Sequence, residues 1–325
     1  VSGLTGHLKE KVDIMGVGIH PFTLEEAVAV IAGWIEQAGP QAGSAKGGLA
    51  RQVITLNPEM LCSARQDPAV WGLLNRGDLV VPDGHGILWA GKRLGCPFPE
   101  RVTGIDLIQA LAVRAADAGW RLYLLGGAPG VAEAAAINLQ RQHPGLQVVG
   151  TGHGYFSAMT TRSNAPASLK RWAPVSGLTP GLKENGHTGK SGYVPGSRFL
   201  SFSGGRQAPT EAKDSLTGAE LPAVLDRIRA AHPDLLLVGM GFPKQEYFIR
   251  DHRQDLGSSV AVGVGGSFDV ISGRLRRSPV WIQRLRLEWL YRAFQEPARW
   301  RRLLVLPRFI GLVLTESGNR GMGSH

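Results

Sequence analysis

Short apolar runs punctuate the chain at Val53–Leu56, Leu79–Val81, Leu122–Leu125, Val148–Val149, Leu235–Val238 and Val260–Val264. Between them lie helix-like segments, among them Leu24–Gln37, Gly104–Ala118, Gly130–Gln142, Leu221–Ala231 and Gln245–Gln254. A half-solvated strand alternates apolar and polar residues, whereas a run that stays apolar fits a strand covered on both faces. The succession of such strands and helices predicts an α/β fold. Its form is a Rossmann-like, mostly parallel sheet with helices on both faces. Ligands of these sheets bind beyond the carboxyl ends of the strands. Those ends carry Thr55–Asn57, Pro82–Gly84, Gly126–Gly127, Gly150–Gly154, Gly239–Gln245 and Gly263–Gly266, so polar and glycine-rich residues recur along one edge.

Two stretches break the rhythm. Residues 158–217 are rich in Ser, Gly, Pro, Thr and basic residues, with few large apolar ones, and read as a largely disordered insert. The rhythm resumes after it, so 12–273 is expected to be one domain carrying that insert. From Arg274 onward arginines outnumber acids and Trp281, Trp289 and Trp300 lie among them. Leu287, Leu290, Tyr291 and Phe294 follow helical spacing, which makes 274–314 a basic amphipathic appendage and leaves 315–325 as a frayed tail.

Composition narrows the field. The net charge of +10 points to anionic partners: nucleic acid, anionic lipid or phosphorylated substrates. The two cysteines, Cys62 and Cys96, do not make a disulfide framework and fit a reducing compartment. No uninterrupted apolar run is long enough to span a bilayer, and Pro307 and Arg308 break the nearest candidate. A soluble or peripheral protein is expected. HExxH, paired CxxC, DxD and GxSxG are all absent, so nothing marks a metal site or a serine hydrolase.

Several strand ends carry candidate chemistry. Asp83 follows an apolar strand inside a glycine turn, where a carboxylate could take a proton from a sugar hydroxyl, although Asp-Gly also simply favours turns. Thr55 and Asn57 offer hydrogen bonds at the preceding junction, and Asn57 before Pro58 also suits a helix cap. Gly126 and Gly127 lead into a helix whose amino end could hold a diphosphate; a plain tight turn explains them equally well. Lys244 and Gln245 open a helix and could contact anionic or sugar oxygens, or form a solvated cap. Arg101 precedes a capped helix start and could reach a phosphate. Arg292, Arg299 and Arg302 would share a face of a continuous helix and could grip a diphosphate.

The fragments TLNPEM, VPDGHG, RVTGIDL, LLGG, GHGYF, PDLLLVGMGFPKQE, VGVGGSFDVISG and RLEWLYRAFQEPARWRR occur in an order that resembles the WecG/TagA/CpsF family, glycosyltransferase family 26. The resemblance spans about Val12 to Leu314, apart from the insert. It implies an inverting transferase that moves a hexose or N-acetylhexosamine, N-acetylmannosamine-like or glucose-like. The donor is a UDP-sugar, the acceptor an undecaprenyl-diphosphate-linked sugar in cell-envelope or exopolysaccharide synthesis. By motif it makes Asp83 the base and Thr55 and Gln245 its catalytic companions. Asn57, Arg101, Arg292, Arg299 and Arg302 become substrate-binding, and the strand-end candidates Gly126, Gly127, Gly154 and Lys244 are expected to bind substrate with them. It implies no metal or other cofactor and no nucleic acid. The expected place is the cytoplasmic face of the plasma membrane, held peripherally against anionic lipid, with self-association left open. Two other readings stay open. A nucleotide-cofactor oxidoreductase is disfavoured by the missing GxGxxG fingerprint. A non-enzymatic basic protein would bind membrane or nucleic acid, for which no nucleic-acid motif is present.

Overall fold

The computed structural model describes residues 8–39, 48–156, 221–285, 287–295 and 305–322. The insert read at 158–217 lies outside them, as do the side chain of Arg292 and all of Arg299 and Arg302.

The chain opens with an antiparallel hairpin, β1 (Val12–Ile14) and β2 (Val17–Ile19), which the sequence reading did not register. Helix α1 (Leu24–Ala38) follows, started by a capping box: Thr23 accepts from the Glu26 amide while Glu26 accepts from the Thr23 amide. Then come β3 (Arg51–Leu56), α2 (Pro58–Ala64), α3 (Pro68–Asn75), β4 (Leu79–Pro82), α4 (His85–Arg93), α5 (Gly104–Ala118), β5 (Arg121–Gly126), α6 (Val131–Gln142) and β6 (Gln147–Gly152). The second half supplies α7 (Leu221–Ala231), β7 (Leu235–Gly239), α8 (Lys244–His252), β8 (Val260–Gly263), α9 (Ser267–Ile271), α10 (Val280–Arg284), α11 (Glu288–Gln295) and α12 (Val305–Met322).

Among the described residues six strands form one sheet in the order β4-β3-β8-β7-β5-β6, with every neighbouring pair parallel. The side-chain alternation of each strand divides the core. Val53, Leu79, Val81, Leu122, Leu124, Leu235, Leu237, Val260 and Val262 face one layer, packed with apolar residues of α1, α5, α6 and α9. Ile54, Leu56 and Val80 face the other side, against the hairpin and α2, α3 and α4. Tyr123, Leu125, Leu236, Val238 and Ala261 meet α7 and α8 further along that side. Both faces are therefore covered, which is why β4, β7 and β8 are buried at every position and read as unbroken apolar runs.

The C-terminal region departs from expectation. Helix α12 continues to Met322, through most of the stretch read as frayed. Pro307 lies in its first turn, where a missing amide hydrogen costs no helical bond. Phe309 is 1% exposed and Val313 fully buried, and both belong to the cluster of α2, α3 and α4. The last described helix thus completes a core begun by the first third of the chain.

Candidate active site at the carboxyl edge

Backbone bonds stitch three loops together at the end of β3 and β4. The Asp83 amide donates to the Leu56 carbonyl at 2.7 Å, and the Val102 amide donates to the Pro82 carbonyl at 2.8 Å. These bonds set the Asn57, Asp83 and Arg101 backbones side by side. Asn57 caps α2, its Oδ1 accepting from the Met60 amide at 3.1 Å. Asp83 is half-buried. Gly84, with φ +93°, turns the chain into α4, and a Cβ on Gly86 would come within 2.6 Å of Pro58 Cγ. Only glycine at 86 lets the two helix starts approach so closely beside Asp83.

The glycine loops lie further along the edge. The connection from β5 leads outward to β6, whereas that from β7 leads inward to β8, so the chain diverges between β5 and β7. Ligand crevices in parallel sheets form at such a divergence. Gly126 meets Gly239 there with no room for a side chain: a Cβ would lie 2.4 Å from the Gly239 carbonyl. Gly127 donates to the Gly239 carbonyl at 3.0 Å, and Gly154 donates to the Gly127 carbonyl at 2.9 Å. The structure brings Gly126, Gly127 and Gly154 together as a bare backbone surface beside the amino end of α6.

Thr55 and Gln245 are also at this edge, but inside it. Thr55 is 5% exposed and its hydroxyl donates to the Gly263 carbonyl at 3.1 Å, tying β3 to β8. Gln245 is 2% exposed; its Oε1 accepts from the amides of Gly241 (3.1 Å) and Gly265 (2.9 Å). Its Nε2 donates to Glu246 Oε1 at 2.7 Å. One side chain therefore pins the turns that end β7 and β8. Lys244, the helix's first residue, is exposed.

Glu246 reads from the sequence as part of a solvated helix start. It is fully buried, Oε2 has no hydrogen-bond partner among the described residues, and burial pushes its carboxyl up to about 7. The available signal was the run Tyr247–Phe248–Ile249 directly after it, three buried residues that leave this turn of α8 no solvent face.

The appendage touches the site through charges. Arg101 Nη1 forms an ion pair with Glu288 Oε2 at the start of α11, and Ser278 Oγ donates to Glu288 Oε1 at 3.1 Å. Arg277 pairs with Asp106, which also accepts from the Thr103 hydroxyl at 2.7 Å. Burial raises the Glu288 carboxyl, but the Arg101 bond and charge outweigh it and hold it below the usual range. Val280, Trp281, Leu285, Trp289 and Phe294 of this region are exposed. Among the described residues no helix is long and apolar enough to cross a membrane.

Fold and edge together define a Rossmann-like α/β protein with closely packed glycine turns and a polar corner at the carboxyl ends of its strands. A family profile described as Glycosyl transferase WecG/TagA/CpsF family matches residues 12–171 and 199–322. The chain belongs to that family and is a glycosyltransferase. The match narrows the stretch outside the family pattern to 172–198, less than the 158–217 expected from composition. Similar proteins include an N-acetylglucosaminyldiphosphoundecaprenol N-acetyl-beta-D-mannosaminyltransferase of Bacillus spizizenii, 30% identical over 81% of this chain and 78% of the relative. Proteins of the same name from Bacillus subtilis (25% identical; 82% and 80% covered) and Staphylococcus aureus (28% identical; 92% and 91% covered) are similar as well.

Proposed function

We propose that the protein transfers an N-acetylhexosamine, N-acetylmannosamine-like, from a UDP-sugar to an N-acetylglucosamine carried on undecaprenyl diphosphate. The observation that carries the reading is the Asp83 turn, set between Asn57 and Arg101 by the Leu56 and Pro82 backbone bonds, in a chain of this family. The relatives' names supply the sugar and the lipid carrier.

In this mechanism Asp83 accepts the proton of the acceptor hydroxyl. The hydroxyl oxygen bonds to the anomeric carbon as the bond to UDP breaks, and UDP leaves with the electron pair. In-line attack on an α-linked donor gives a β-glycoside, the linkage in the relatives' names. A positioned base contributes about 10²–10⁴-fold in rate. The amino end of α6, beside the side-chain-free surface of Gly126, Gly127 and Gly154, and the arginines Arg101, Arg292, Arg299 and Arg302 meet the diphosphates of donor and acceptor, so the neutralising charge comes from protein. Lys244 adds exposed positive charge at the same edge. Thr55 and Gln245 act from behind, holding β3 and the glycine turns in place. The exposed aromatics of α10 and α11, among arginines, seat the protein peripherally on an anionic membrane.

The test is to incubate the purified protein with UDP-N-acetylmannosamine and a short-chain lipid-diphosphate N-acetylglucosamine. A disaccharide-lipid in the mass spectrum, with release of UDP, is the expected result. Absence of that product with this and other UDP-hexoses would overturn the reading.

A further inference from the structure

One contact between the appendage and the rest of the fold reaches Arg101 in the polar corner. Glu288 is the first residue of α11, and its carboxylate is held at both oxygens, by Arg101 and by Ser278. Arg101 is 17% exposed at its side chain and Glu288 23%, so the pair is substantially withdrawn from water. Desolvating two charges offsets much of their attraction, and a pair of this kind is poor evidence for stability alone. Its effect is geometric. A guanidinium has five N–H donors in a rigid plane. Among the described residues Glu288 is the only acceptor of Arg101, and it takes Nη1. Among the described residues the other N–H groups meet no acceptor and can face a second anion, while the plane that carries them is fixed from the appendage. The Val102–Pro82 backbone bond sets that plane's anchor beside the Asp83 turn.

We propose that Glu288 is a positioning residue: by clamping Nη1 it orients Arg101 for the acceptor diphosphate. This rests on the transfer reaction proposed above. The second ion pair, Arg277 with Asp106, and the burial of Phe309 dock the appendage independently of Glu288. Losing the Glu288 carboxylate therefore disorients Arg101 without releasing the appendage.

The experiment uses the full chain and the variants Glu288→Ala, Glu288→Gln, Arg101→Ala and the Arg101→Ala/Glu288→Ala double variant. Glu288→Ala is expected to raise the KM for a short-chain lipid-diphosphate acceptor at least tenfold and to leave the KM for UDP-sugar within twofold. Glu288→Gln, which keeps an oxygen for Arg101 or Ser278, recovers most of the loss. In the Arg101→Ala background Glu288→Ala changes the acceptor KM less than twofold. Limited proteolysis of residues 274–304 should proceed at the wild-type rate in Glu288→Ala. A wild-type acceptor KM in Glu288→Ala, an equal loss in the Arg101→Ala background, or a loss matched by faster proteolysis would overturn the proposal. If the wild-type protein transfers no sugar, the reaction reading fails by itself. Inorganic pyrophosphate titrated by calorimetry then decides the role of Glu288: at least fivefold weaker binding in Glu288→Ala supports it, and equal binding overturns it.

Discussion

Gln245 Nε2 donates to Glu246 Oε1 at 2.7 Å in a place where neither side chain meets solvent. The Glu246 carboxyl titrates near 7 in the fold against 4.5 ordinarily. Between those values the folded state holds a proton that the unfolded chain releases, so the contribution of Glu246 to stability is full below pH 4.5 and is lost as pH rises through 7. The size is on the order of 3 kcal/mol, from about 1.4 kcal/mol per unit. Glu246→Gln should remove this slope. Urea unfolding of both proteins at pH 5 and pH 8 measures it; an unchanged difference between the two pH values in the variant would refute the assignment.

His20 produces the opposite slope. Burial, with the nearby Lys11 charge, lowers its imidazole to about 4 from 6.5, and its Nδ1 accepts from the Val80 amide at 3.0 Å. The unfolded chain takes up this proton first, so its stabilisation is full above pH 6.5 and is lost as pH falls through 4. The two slopes overlap and oppose between about pH 4.5 and 6.5. His20→Asn should therefore expose the Glu246 trend in that window, seen as a urea midpoint that declines more steeply with rising pH than in wild type.

Asp83→Asn should keep the fold and UDP affinity and lower turnover by about two to four orders of magnitude, as loss of a general base does. Circular dichroism and UDP calorimetry control for folding and donor binding. Turnover within tenfold of wild type would remove Asp83 from the base role.

Phe309→Ala should destabilise the whole fold by roughly 3–5 kcal/mol, the usual cost of emptying a buried phenylalanine site. Its ring lies 6.4 Å from that of Trp89 and packs with Met60 and Leu61 of α2 in one cluster. From its arginine content the tail looked separable from the domain; the buried face of α12 makes it part of the core. A single cooperative unfolding transition, shifted downward by the variant, is the expected calorimetric result.

Substituting Trp281, Trp289 and Phe294 together by Ala should weaken co-sedimentation with anionic vesicles severalfold. Transfer to a soluble acceptor should stay unchanged, because these side chains are exposed. Replacing Arg292, Arg299 and Arg302 by Ala should do the reverse, reducing transfer far more than vesicle binding. Equal transfer by the arginine variant and wild type would remove these three arginines from the diphosphate site.

The parallel sheet was legible because β4, β7 and β8 are apolar at consecutive positions, a pattern that a one-sided sheet does not produce. Its carboxyl edge was legible because glycines and Asp83 follow those runs directly. The hairpin was not, since β1 and β2 have three residues each and too short a pattern to count. Strand order was equally hidden: nothing local to Val260–Gly263 says that it lies beside β3. Residue type at the strand ends singles out Asp83, Asn57 and Arg101, whose backbones the fold sets side by side, but not the inward direction of Thr55 and Gln245, which depends on β8 and on the Gly241 and Gly265 turns. Glu288 sat in a stretch that drew attention for its arginines, and its partner is far away in sequence.

The order of strands also fixes an order of events during synthesis. β3 and β4 emerge first and pair with each other; β5 and β6 emerge next and form a second pair. Neither pair touches the other, because β7 and β8 stand between them and are made later. A nascent chain thus carries two unfinished half-sheets whose inner edges, β3 and β5, wait unpaired for the middle of the sheet to arrive. Such edges are the surfaces on which chains associate wrongly. Protection of those two edges, by a chaperone or by rapid release, is the demand that this topology places on the cell that makes the enzyme.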